Sequence, residues 1–115
     1  MCGSEMTNDV IGRLAATVAA RRMESPEASY TRQLLSAGPE KCARKFGEEA
    51  LEVIIAALGA DTKALVGEVA DVMFHLLVLL ECKGVAWLDV EAVLSARMGT
   101  SGLAEKASRQ KSDNS

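Results

Sequence analysis

Apolar residues recur at helical spacing along most of this chain, and clusters of turn-forming residues separate the runs. Val10, Leu14 and Val18, joined less regularly by Ile11, predict a first helix that extends to Met23, with Thr7 or Asn8 as its cap. Ser25-Pro26 breaks that pattern. Residues 27–37 read as a short irregular link with about two helical turns in SYTRQLL, closed by Gly38. Pro39 suits a first helical position, where its missing N–H would be unpaired anyway. From it runs PEKCARKFGEEALEVIIAAL, in which Cys42, Phe46, Ala50, Val53, Ala57 and Leu58 form one apolar stripe at about 100° per residue. Gly47 inside this helix costs about 1 kcal/mol relative to Ala, which suggests close approach of another backbone. Gly59 ends the helix, Asp61 or Thr62 caps the next, and Gly84 terminates that one.

The segment VADVMFHLLVLL is interrupted only by Asp71 and His75. A helix apolar nearly all round must be buried nearly all round, and a chain of 115 residues has few other helices to cover it. The helix around residues 71–80 is therefore expected to form a subunit interface, in a homodimer or higher homo-oligomer, most simply a two-fold helical bundle. Trp87-Leu88 opens a last helix that runs to Met98 with Val90, Val93 and Leu94 inward. The expected fold is all-α, a bundle of about four to five helices completed by oligomerisation. Residues 1–6 have no periodicity and read as disordered or as a remnant before Met6, residues 7–98 as one helical domain, and residues 99–115 as a flexible tail.

Composition narrows the classes. Apolar residues make up 49% of the chain but aromatic residues only 3%, a balance typical of helical proteins. A net charge of −3 gives no reason to expect nucleic acid, and an acidic protein that handles phosphates needs a cation. Cys2, Cys42 and Cys82 are odd in number and have neither disulfide-framework nor zinc spacing. No membrane partner is expected, because the apolar runs, residues 76–80 among them, fall far short of the roughly 20 residues that span a bilayer. With no secretory signal at the start, a cytoplasmic location is expected.

The acids carry the candidate chemistry. Glu49 and Glu52 stand three apart on one predicted helix, Glu68 and Asp71 three apart on the next, and a short turn folds the two helices together. Each pair shares a helical face. Glu68 and Asp71 align with His75, Val78, Leu79 and Cys82, so a buried face carries two carboxylates. Unpaired buried carboxylates cost several kcal/mol each, and converging oxygen donors suit a hard cation such as Mg²⁺ or Mn²⁺. The plainer reading, solvated helix faces with Lys45 and Glu49 as an i,i+4 surface pair, stays open on spacing alone. Glu48 points away from the apolar stripe. His75 reads as a hydrogen-bonded core residue, and no Glu-x-x-His spacing supports redox iron. Tyr30, Thr31 and Arg32 are either ligand contacts or packing residues of the connector. GTSG follows a helix, not a strand, and is no nucleophile elbow.

Taken together, GPEKCARKFGEEALEVIIAAL, EVADVMFHLLVLL and the tail GTSGLAEKASR resemble the phosphoribosyl-ATP pyrophosphohydrolase family of histidine biosynthesis, the small all-helical relatives of MazG-like nucleoside triphosphate pyrophosphohydrolases. The likeness runs from Thr7 to Arg109. It implies that Glu49, Glu52, Glu68 and Asp71 hold Mg²⁺, with Glu48 as an accessory acid, and that phosphoribosyl-ATP and water give phosphoribosyl-AMP and pyrophosphate. Lys41, Lys45 and Lys106 are candidate phosphate contacts, and Glu52 the candidate base. Two other readings use the same residues: a housecleaning pyrophosphohydrolase for free or damaged nucleotides, and a helical interaction module whose acids only solubilise it.

Overall fold

The computed structural model of the chain describes residues 9–99. All regular structure among them is helical: α1 (Val10–Arg21), α2 (Tyr30–Ala37), α3 (Pro39–Leu58), α4 (Thr62–Cys82) and α5 (Trp87–Met98). The chain divides between Val85 and Ala86 into two compact units. The first contains α1 to α4 and the second contains α5. Thr7, Asn8, Lys106 and Arg109, and the segments 1–6 and 100–115, lie outside the described residues.

Short-range chemistry sets the helix ends. Asp9 takes the N-cap position of α1, and the helix stops at Arg21, two residues before the expected Met23. Ser29 turns SYTRQLL into a regular helix: its Oγ accepts from the Arg32 N–H at 3.1 Å, satisfying one of the donors every helix start leaves unpaired. Gly38, at φ 97°, ends α2 and begins α3 in one residue, a conformation that favours glycine. Asp61 caps α4 through Oδ1, which accepts from the N–H groups of Lys63 and Ala64 at 3.0 and 3.2 Å. At the other end, Gly84 adopts φ 71° and the Val85 N–H reaches back to the Leu80 carbonyl at 2.9 Å, the geometry of a Schellman stop.

α3 and α4 pack as a helical hairpin, and α1 and α2 pack on it. The core is formed by Val18 of α1, Leu34 and Leu35 of α2, Cys42 of α3, and His75, Leu77 and Val78 of α4. It thus lies where the start of α3 meets the end of α4. There the fold brings together two thiols that are forty residues apart. Cys42 donates to the Leu34 carbonyl at 3.2 Å, and burial, then the neighbouring Cys82 thiol, push its pKa up to about 11. Such a thiol is chemically inert at neutral pH. Arg22 ties the end of α1 to the same region, donating to the Glu81 carboxylate and carbonyl, both at 2.8 Å.

Apolar exposure is low around residues 71–80. The helix around residues 71–80 uses His75, Leu77 and Val78 for the chain's own core. Exposed apolar side chains concentrate instead at the other end of the hairpin, on Leu51, Ile54, Ile55 and Leu58 of α3 and on Val66 and Val69 of α4. In α5, Val93 and Leu94 are exposed rather than inward. Nor does Gly47 mark a close approach: a methyl group added there would meet no atom within 4 Å among the described residues, and the same holds for Gly67.

Candidate functional site

The hairpin sets the two acid pairs opposite each other. One carboxylate oxygen from each of Glu49, Glu68 and Asp71 lies within 4.8 Å of the other two. Oxygen ligands about 2.0–2.6 Å from an ion stand up to about 4–5 Å apart across it, so the trio has cation dimensions. Glu49 and Glu68 are half-buried and Asp71 is exposed, which leaves one side open to solvent. Burial, followed by the charges of Asp71, Glu52 and Glu49, raises the pKa of Glu68 above the ordinary carboxylate value. The group therefore carries uncompensated negative charge, which a bound cation would relieve.

The other two candidate acids stand apart from the trio. Glu52 is exposed and reaches Glu68 through its charge. Glu48 is also exposed and accepts from Lys45 Nζ at 3.2 Å, so the lysine pairs at i,i+3 with Glu48 rather than at i,i+4 with Glu49. That hydrogen bond is the leading cause of a raised Lys45 pKa, with Tyr30 and Glu49 adding smaller contributions.

His75 follows Asp71 by one helical turn and is 7% exposed. Its ring meets Phe74 and Tyr30 edge-on, with centroids 5.1 and 6.2 Å away. The core position matches expectation, but Nδ1 has no hydrogen-bond partner among the described residues. Burial lowers the pKa of His75, against the pull of Glu49 and Asp71. Of the three connector residues, Thr31 is buried and Arg32 hydrogen-bonds Ser36, so both serve the packing of α2. Tyr30 does more. With Gln33, Leu34, Ala37, Lys41 and Lys45 it lines an open cleft of about 310 Å³ between α2 and the start of α3. Neither this cleft nor the place of Gln33 in it is marked along the sequence. The signal was the i,i+4 spacing of Lys41 and Lys45 behind a short helix, and it is readable only once that helix is known.

Fold and site together define a class: all-α proteins that gather acids from two facing helices into a cation-sized group. The sequence matches the family model of phosphoribosyl-ATP pyrophosphohydrolase over residues 11–98, and the chain belongs to that family. It is 57% identical over 100 residues to the phosphoribosyl-ATP pyrophosphatase of Cereibacter sphaeroides, an alignment covering 87% of this chain and 97% of the relative. Phosphoribosyl-ATP pyrophosphatase 1 of Rhodopseudomonas palustris is 56% identical over 98 residues, covering 85% of this chain and 92% of the relative. The phosphoribosyl-ATP pyrophosphatase of Rhodobacter capsulatus is 56% identical over 99 residues, covering 86% and 96%.

Proposed function

We propose that this chain hydrolyses phosphoribosyl-ATP to phosphoribosyl-AMP and pyrophosphate, the second step of histidine biosynthesis, and that it works in the cytoplasm. The observation that carries the reading is the trio of Glu49, Glu68 and Asp71, gathered within 4.8 Å in a chain of this family. Among the described residues no helix is long and apolar enough to cross a membrane.

A bound Mg²⁺, or Mn²⁺ in its place, would supply charge neutralisation, acidification of water and a template for the leaving pyrophosphate. Glu49, Glu68 and Asp71 would hold that cation, and Glu52 would complete the acid set from the next turn of α3. Standing outside the trio and open to solvent, Glu52 also takes the proton of the attacking water. Glu48 acts as an accessory acid by positioning the Lys45 ammonium group. Lys41 and Lys45, with Lys106 from the tail, meet substrate phosphates. Residues 7–98 form the catalytic domain, and the exposed apolar residues of α3 and α4 support its pairing with a second copy.

Pyrophosphate release tests the assignment. Phosphoribosyl-ATP is expected to be turned over far faster than ordinary deoxynucleoside triphosphates, with activity lost in EDTA and restored by Mg²⁺. A preference for the deoxynucleotides would move the chain to a housecleaning role, and indifference to both nucleotides and magnesium would leave an interaction module.

A further inference from the structure

We infer that the cleft between α2 and the start of α3 is the seat of the ribosyl 5′-phosphate of the substrate, with Lys41 as the residue that distinguishes phosphoribosyl-ATP from ATP. This inference rests on the pyrophosphohydrolase reading. The substrate is anionic at both ends, carrying a triphosphate on one ribose and a single phosphate on the other. The acid trio can meet the triphosphate only through cations. A phosphate at the far end has no such partner and needs a positively charged seat of its own.

The cleft has the composition for that task. Two of its six lining residues are lysines, and none is a carboxylate. Lys45 is already engaged with Glu48 and stands on the side of the cleft nearer the acids. Lys41 is exposed and has no ion-pair or hydrogen-bond partner among the described residues, so its charge is available to a ligand. Gln33 is held in place by donation to the Pro26 carbonyl at 2.8 Å. The ring of Tyr30 lies against Phe74 with centroids 6.5 Å apart and an interplanar angle of 21°, which gives the cleft an aromatic wall supported from behind. Such a wall suits the ribose or base that links the two charged ends.

Spacing along α3 fits as well. Lys41, Lys45 and Glu49 follow one another at four-residue intervals, and at 1.5 Å per residue Lys41 lies roughly 12 Å along the axis from Glu49. An adenosine extended by a second ribose covers a distance of that order. The single phosphate then falls at Lys41 and the triphosphate at the trio.

A two-by-two comparison tests this. Wild type and Lys41→Met are assayed on phosphoribosyl-ATP and on the same compound with its ribosyl 5′-phosphate removed. Lys41→Met is expected to raise KM for the full substrate at least tenfold with little change in kcat, and the penalty in kcat/KM is expected to shrink to less than twofold on the dephosphorylated compound. Lys83→Met, an equal loss of charge at the end of α4, serves as the control and should leave both substrates unaffected. An equal penalty on the two compounds would overturn the inference, because Lys41 would then read the triphosphate. No penalty on either would overturn it too, since the cleft would hold no phosphate. Failure of the underlying reading looks different: wild type itself would not turn over phosphoribosyl-ATP.

Discussion

Glu68 is the residue on which site chemistry and folding most directly conflict. Its carboxylate is half-buried and pressed by Asp71, Glu52 and Glu49, so its charged form is disfavoured in the folded, metal-free protein. Glu68→Gln should lower pyrophosphate release by orders of magnitude while the melting temperature of the metal-free protein holds or rises. A loss of stability together with activity would mean that the acid is structural. His75 gives a pH prediction of definite sign. Its pKa in the fold lies below the ordinary 6.5. Above that value it is neutral in both folded and unfolded chains and has no effect. As pH falls below it the unfolded chain takes up the proton first, so stability declines. Urea midpoints measured from about pH 7 down to about pH 5.5 should fall in wild type, and His75→Phe should remove part of that slope. Much of this was legible in the sequence. Glu68 and Asp71 share a turn with residues that had to be buried, and a three-residue turn left their helix little choice of neighbour. The unsatisfied Nδ1 and the Lys45–Glu48 pairing were not legible, because both depend on how side chains settle after packing.

At the scale of elements, the helix ends carry separable stability. Ser29→Ala and Asp61→Ala should each cost about 1 kcal/mol in denaturant unfolding, the usual worth of a side-chain cap. Leu77→Asp should be far worse, beyond about 4 kcal/mol, because it places a charge among the core residues of α4. Circular dichroism should show the two cap variants folded at room temperature and the core variant not. The long helices were readable from periodicity, since α3 and α4 repeat the apolar spacing over twenty residues or more. α2 was not. Its eight residues are too few to show a period, and its stability comes from Ser29 and from burial of Thr31, Leu34 and Leu35 against other helices. The cleft was hidden for the same reason, since one of its walls belongs to α2.

For the whole molecule, the pattern of exposure bears on assembly. Leu51, Ile54, Ile55 and Leu58 recur at one-turn spacing on α3, and Val66 and Val69 do so on α4, a contiguous kind of apolar surface that soluble monomers rarely leave open. Ile55→Asp should shift the protein to a smaller species in analytical ultracentrifugation without unfolding it, because Ile55 is already 56% exposed in the isolated chain. The apolar run of α4 raises from sequence alone the expectation of surface that one chain leaves uncovered, and the hairpin does expose apolar side chains at its turn end. The exposed set on α3 and the start of α4 was not legible, because a run of leucines does not reveal which end of a helix α1 and α2 will cover. The glycines beside the acids extend this reasoning. Gly47 and Gly67 precede Glu48 and Glu68, and neither would bring an added methyl group within 4 Å of another atom among the described residues, although alanine would favour either helix by about 1 kcal/mol. Gly47→Ala and Gly67→Ala should therefore melt later than wild type. If turnover slows in the same variants, catalysis uses the backbone freedom that glycine leaves beside each acid, and the protein's tolerance to heat is limited by the motion its site needs.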